Sequence, residues 1–280
     1  FKDKIAQFLV GRGYTEILTN SITNSAYFSE EVLAGAVKML NNLSADLDVM
    51  RPSMLETGLE TIAYNLNRQI SSIALFEMGK VYGQSSKGAY YESEQLAIYL
   101  SGKQQQDGWR AKGVLADFFV AKGAATAIFN LLGMQGGAWK QTSTHQIDYA
   151  INKKTIGHLQ AIGAKKLQAF GIKQPVFYIQ FDLANLFSIY QSKQVVYQEI
   201  SKYPSVERDL ALVIPQDTKY EAIEACVNEA KLEALKESRV FDIFESDKLG
   251  AQKKSVAINF VFNTADKTLT DTEIDTMMKK

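Results

Sequence analysis

Residues 201–227 read SKYPSVERDLALVIPQDTKYEAIEACV. Pro204 is followed by an opposite-charge pair, Arg208–Asp209, and then by the apolar run 210–214, a strand signal. Pro215 and Asp217 mark a turn. Tyr220, Ile223 and Val227 then recur at helical spacing, giving one apolar face over 220–235. A strand handing over to an amphipathic helix opens a new structural unit here. The Arg208–Asp209 pair admits two readings: a strand-end clamp in which the two side chains pair, or a guanidinium held out for a phosphate.

Downstream, SRVFDIFE (238–245) is a strand and SDKLGAQK (246–253) a hairpin loop with Gly250. KSVAINFVF (254–262) alternates, with Val256, Ile258, Phe260 and Phe262 on one side and Ala257, Asn259 and Val261 on the other. LTDTEIDTMMKK (269–280) opens a helix: Thr270 is the N-cap, Glu273 completes a capping box, and Leu269 and Ile274 form a hydrophobic staple. The order β-α-β-β-α is one strand short of the split βαβ, ferredoxin-like arrangement.

Upstream, Ile5, Phe8 and Leu9 predict a helix stopped by Gly11 and Gly13, and TEILTNSI (15–22) a strand. SMLETGLETIAYNLNRQ (53–69) is a helix with Leu59, Ile62, Ala63 and Leu66 on one face. Ser53 and Glu56 have capping-box spacing. SIALFEMGKVY (72–82) is apolar on both faces, as in a strand covered on both sides, and EQLAIYLSG is a second strand. Residues 111–133 predict one long helix with Val114, Leu115 and Phe118 in its apolar stripe. PVFYIQFDL (175–183) is a strand leading into a short helix.

Composition excludes several classes. Lys+Arg and Asp+Glu both number 31, so polyanion contacts must come from a local patch. One cysteine, Cys226, allows no intrachain disulfide and fits a reducing cytosol. No apolar run approaches bilayer-spanning length. The first residues resemble no signal peptide and open inside a helical pattern, as a piece of a longer chain would. His145 and His158 are isolated and lack metal-ligand spacing. GMQGGAW (133–139) follows a helix and reads as a helix stop, not a phosphate cradle. There are six arginines, none between Arg110 and Arg208. No strand of the first part carries an arginine fork for nucleotide phosphates.

RPSMLETGLETIAYNLNRQISSIALFEMGKVY (51–82) resembles the synthetase-like domain in the β subunit of bacterial phenylalanyl-tRNA synthetases. YPSVERDLALVI (203–214) and KTLTDTEI (267–274) resemble the ferredoxin-fold anticodon-binding domain that ends such subunits. The resemblance implies an α+β chain of two parts. Residues 1–200 would be a class II synthetase-like antiparallel sheet with flanking helices, catalytically inactive. Residues 201–280 would be a ferredoxin-like βαββαβ domain without its last strand. In active class II enzymes an arginine on the strand pair following the interface helix holds ATP, and a later glycine-rich segment ends in another arginine. IALFEMGKVY occupies the first place without an arginine, and the second has no counterpart. The implied role is that of a non-catalytic part of a cytoplasmic ligase. It would pack on a catalytic α subunit in an α2β2 heterotetramer and recognise the tRNA(Phe) anticodon region. ATP and Mg2+ would be used through other domains, with no cofactor here.

Carried over residue by residue, Ala211 matches a small residue that lets a base approach, Asp242 a carboxylate reading base amino groups, and Ser255 a hydroxyl beside the same nucleotide. Arg208 and Lys254 are candidates for phosphate contacts, as is Lys253. A guanine edge presents two donors that one carboxylate accepts. Two alternatives are a generic RNA-recognition motif and a scaffold or ligand-sensing domain without nucleic acid. The first expects aromatics where Val256 and Ile258 stand.

Overall fold

The computed structural model describes the chain except residues 42, 43, 45, 135, 153, 193–196, 198, 247, 248, 251 and 280. It divides into two compact units, Phe1–Gln194 and Val195–Lys280.

In chain order, the first unit contains α1 (Lys2–Gly11), β1 (Thr15–Glu16), β2 (Ile22–Thr23), α2 (Glu30–Leu33), β3 (Val49–Met50), α3 (Leu55–Leu66), β4 (Ile73–Gln84) and β5 (Tyr90–Ser101). It continues with α4 (Phe118–Leu131), β6 (Ala138–Ser143), β7 (Gln146–Ile151), β8 (Lys154–Ala161), α5 (Ala164–Ala169), β9 (Val176–Asp182) and α6 (Leu183–Ser192). Seven strands form one sheet in the order β1-β4-β5-β9-β8-β7-β6. Among the described residues only the β1–β4 pairing is parallel. Alternation sorts the residues of β5 and β9 onto two buried faces. Leu96, Ile98, Leu100, Ile179 and Phe181 pack with Ile5, Leu9, Ile128 and Phe129 of α1 and α4. Ala97, Tyr99 and Tyr178 pack on the other face with Leu59 and Ile62 of α3 and Leu167 of α5. A sheet covered on both sides explains why 73–82 shows no polar alternation.

Several sequence expectations are corrected. TEILTNSI does not form one strand. The chain leaves β4 after Ile17, because Thr19 turns its backbone NH (3.3 Å) and hydroxyl (2.7 Å) to the Glu77 carboxylate. The capping box at α3 is absent: Ser53 Oγ accepts from the Leu55 NH, but Glu56 is buried and pairs with Lys166 at 2.7 Å. The long helix begins at Phe118, not residue 111. Asp117 caps it by accepting the Val120 NH at 2.7 Å. Val114 and Leu115 are exposed, and Leu115 forms an isolated antiparallel bridge with Lys103. Strands β6 to β8 were not anticipated. Gln135 of the GMQGGAW run lies outside the described residues.

The second unit contains β10 (Val206–Pro215), α7 (Tyr220–Glu229), β11 (Leu235–Glu245), β12 (Lys253–Phe262) and α8 (Asp271–Met278). Its antiparallel sheet has the order β10-β12-β11, the order of a ferredoxin-like domain for these three strands. Val256, Ile258, Phe260 and Phe262 are buried with Ile274, and Tyr220, Ile223, Val227 and Leu269 pack against them. Both helices therefore cover one face. The α8 capping box forms as expected, with Thr270 and Glu273 exchanging hydrogen bonds. Helix α7 stops short of residue 235 because Lys231 adopts the left-handed conformation, φ +46°, and the chain turns into β11. Asp247, Lys248 and Ala251 of the expected hairpin loop lie outside the described residues, whereas Gly250 (φ +95°) belongs to it.

Candidate nucleic-acid interface

The face of the small sheet opposite α7 and α8 carries the side chains that alternate with the core. On β12 these are Lys253, Ser255, Ala257, Asn259 and Val261. Cross-strand register then assigns the neighbours. Ala211 of β10 and Asp242 of β11 both stand opposite Ala257. Val213 and Phe244 both stand opposite Ser255, and Asp209 and Arg239 both stand opposite Asn259. Residues directly opposite in an antiparallel pair are about 5 Å apart. The resemblance-derived set Ala211, Asp242 and Ser255 is thus brought together on one face, around a floor of two alanines. Ala211, Val213, Asp242 and Phe244 are all exposed, and Ser255 is half-buried.

A bulge in β11 separates Val240, opposite Ile258, from Asp242, opposite Ala257. Phe241 is the extra residue. In an unbulged strand Phe241 would stand opposite Ala257 and Asp242 opposite Val256, on the helix side. With the bulge, Asp242 and Phe244 both face outwards, a carboxylate acceptor beside an aromatic ring.

Arg208 and Lys254 are not on this face. Arg208 stands opposite Phe260 and its guanidinium pairs with Asp271 in the first turn of α8. The reading in which Arg208 pairs with Asp209 is therefore corrected. Asp209 points the other way and accepts from Asn259 Nδ2 at 2.7 Å. Lys254 stands opposite Ile214, and its ammonium donates to the Thr218 carbonyl at 2.8 Å, closing the turn before α7. The exposed cations on the open face are Lys253 and Arg239, and Arg239 went unnoticed in the sequence as a binding residue. Its place on this face follows from the pairing of β11 with β12, in which it stands opposite Asn259.

The first unit arranges its charges differently. Arg51, 2% exposed, follows β3 and lies across β4. Its Nε donates to the Lys80 carbonyl (2.8 Å), and Nη1 donates to Thr19 Oγ1 (2.7 Å) and Glu77 Oε1 (3.0 Å). Glu77 is fully buried. A β-carbon on Gly79 would stand 2.2 Å from the guanidinium, so a glycine is required for Arg51 to lie flat on the strand. Tyr99 and Tyr178 are buried beside this cluster, and burial pushes both phenols well above their ordinary range. Burial lowers the pKa of His158, with Asp148 opposing, so a neutral imidazole is favoured. His145 is exposed in the β6–β7 turn. Among the described residues no cluster of histidine, cysteine, aspartate and glutamate could hold a metal ion, and no helix is long and apolar enough to cross a membrane.

Residues 1–183 match the model of the phenylalanyl tRNA synthetase beta chain CLM domain, and residues 201–280 match the ferredoxin-fold anticodon binding domain. The chain belongs to the phenylalanyl-tRNA synthetase β-chain family. Within that family it is 33% identical to the phenylalanine–tRNA ligase beta subunit of Bacteroides fragilis, over 99% of this chain and 36% of the relative. It is 28% identical to the Bacillus cereus beta subunit, over 97% of this chain and 35% of that relative. It thus spans about a third of the length of these relatives. Pyrrolysyl-tRNA synthetase from Desulfitobacterium hafniense shares the fold, with a TM-score of 0.54 at 18% identity, covering 69% of either chain. The α+β class with a synthetase-like antiparallel sheet is therefore as the resemblance implied.

Proposed function

We propose that this chain is the tRNA-sensing, non-catalytic part of a phenylalanine–tRNA ligase β subunit. The small sheet reads an unpaired anticodon base, and the larger unit packs against a catalytic α subunit. The observation that carries the reading is the row Ala211–Ala257–Asp242, in which two alanines leave room for a flat base and a carboxylate stands at its edge. An ionised carboxylate is acceptor-only, so it favours a guanine edge, with its N1–H and N2 amine, over edges that present acceptors there. Phe244, exposed one row further on, offers a surface for stacking, the usual way single-stranded bases are held.

ATP handling is assigned to the α subunit. Arg51, near the centre of the larger sheet, is engaged by Glu77, Thr19 and Lys80, so its guanidinium is not free for a triphosphate. ATP and Mg2+ are then used by the assembled α2β2 enzyme, which fits the cytoplasm as its location.

Chemical footprinting of tRNA(Phe) on the αβ enzyme tests the reading. Protection of the Watson–Crick edge of one anticodon-loop guanine is expected, and it should be lost in the Asp242→Asn enzyme. Equal reactivity of that guanine with and without enzyme would remove the anticodon role. ATP–pyrophosphate exchange by this chain alone, above background, would remove the non-catalytic one.

A further inference from the structure

We propose that the row Asp209–Asn259–Arg239 is a second nucleotide subsite, next to the Ala211–Ala257–Asp242 row on the same open face. It would hold the ribose-phosphate unit adjoining the base read by Asp242. This rests on the anticodon-binding reading of that face.

Three observations carry it. First, Asn259 is 6% exposed, an unusual place for an amide on a face free of helices. Its Nδ2 donates both to Asp209 Oδ1 (2.7 Å) and to Glu207 Oε2 (3.1 Å). One buried amide thereby fixes the Asp209 carboxylate, which is itself exposed and acceptor-only. Second, Asn259 Oδ1 is buried and has no hydrogen-bond partner. The amide nitrogen is engaged by β10, and on the other side Arg239 of β11 stands directly opposite Asn259. Leaving a buried carbonyl oxygen without a donor is costly. Third, the Arg239 side chain is exposed and forms no ion pair or hydrogen bond among the described residues. Its guanidinium has five donors in a fork. It can give one to Asn259 Oδ1 and point the rest at a phosphate.

The charge pattern selects the same residue. Glu207, Asp209, Glu237 and Asp242 make the open face acidic, and of its two exposed cations Lys253 lies three rows away beyond Ser255, which leaves Arg239 to hold a polyanion beside Asn259. Arg239 lies one row, about 7 Å along the strands, from Asp242. Across the sheet, two strand spacings of about 4.8 Å separate it from Asp209. A phosphate on Arg239 thus leaves the attached sugar and base above Asn259 and Asp209. The Asp209 carboxylate takes a hydrogen-bond donor of that nucleotide, either its 2′-hydroxyl or an exocyclic amine.

The test uses the assembled αβ enzyme and tRNA(Phe). Arg239→Gln should raise KM for tRNA about three- to tenfold and lower the slope of log KM against log salt by about one. Asp209→Ala should raise KM about tenfold. With wild-type enzyme, tRNA carrying a 2′-deoxy sugar at the neighbouring nucleotide is one arm, and a base lacking the exocyclic amine is the other. The arm that weakens binding names the donor, and in Asp209→Ala that arm should cost nothing more. Arg208→Gln, on the helix face, should lower thermal stability and leave KM unchanged. If Asp242→Asn raises KM while Arg239→Gln does not, this subsite is overturned and the base-reading row stands. If none of the three open-face variants raises KM, the face itself is not the anticodon site.

Discussion

The two units place their charged side chains in opposite ways. In the larger one, Arg51 and Glu77 are turned inward and consume one another at the centre of a sheet packed on both faces. In the smaller one, Asp209, Arg239 and Asp242 are turned outward on a sheet packed on one face only. Both are α+β units built on antiparallel strands, yet one has closed its polar groups and the other presents them. Closed groups contribute to specifying the fold, and presented groups are available to a ligand. This distinction locates the candidate site better than residue type does, since an arginine is present in each unit.

Each side of that contrast can be broken. The largest effect is expected for Glu77→Ala, which strands the Arg51 charge in the core and should destabilise the first unit by about 3–5 kcal/mol. Chemical denaturation followed by the fluorescence of Trp139, which packs beside the core of that unit, measures it. A loss below about 1 kcal/mol would mean that water reaches the guanidinium. Gly58→Ala comes next. Its β-carbon would stand 2.1 Å from the Tyr99 ring, so roughly 1–3 kcal/mol of overpacking is expected, with a lower thermal midpoint as the readout. On the presenting side, Asp242→Asn should cost about 1–3 kcal/mol of tRNA recognition without lowering thermal stability. A stability loss with unchanged binding would move Asp242 to the structural side of the comparison.

Smaller effects sharpen the picture at α8. Thr270→Ala removes the N-cap and should cost about 1 kcal/mol in the second unit alone. Glu273 is held at about 2 by hydrogen bonds from Lys267 and from Thr270. A carboxylate depressed in the folded state stabilises above its unfolded value near 4.5 and loses that contribution as pH falls toward 2. The thermal midpoint of the second unit should therefore fall between pH 4.5 and 2, less steeply in Glu273→Gln. Parallel curves for the two proteins would disprove the linkage.

Legibility followed the range of the interaction. The α8 capping box and the alternation of β12 were readable, because both are fixed within a few residues of chain. The start of α4 was not. Apolar spacing continues back to Val114, and the Asp117 cap is what starts the helix at Phe118. Strands β6 to β8 were missed because Gln, Lys, Thr and His interrupt their apolar residues, and their pairing with one another, not their composition, makes them strands. The partner of Arg208 is Asp271, 63 positions away, beyond any local reading. Ala211, Asp242 and Ser255 came from family resemblance. Register alone adds Arg239 to their face.

The single inserted ring in β11 also bears on slippage of the sheet. Were that strand to slide by one position past Phe241, a phenyl group would replace the carboxylate over the alanine floor, and Asp242 would take the place of Ile243 opposite Val256. Ile243 is 58% exposed there, so the displaced charge would stay in water and meet no penalty from the core. The alignment that offers an acceptor to RNA is therefore held by the other rungs of the ladder, not by any aversion of the aspartate to its alternative seat.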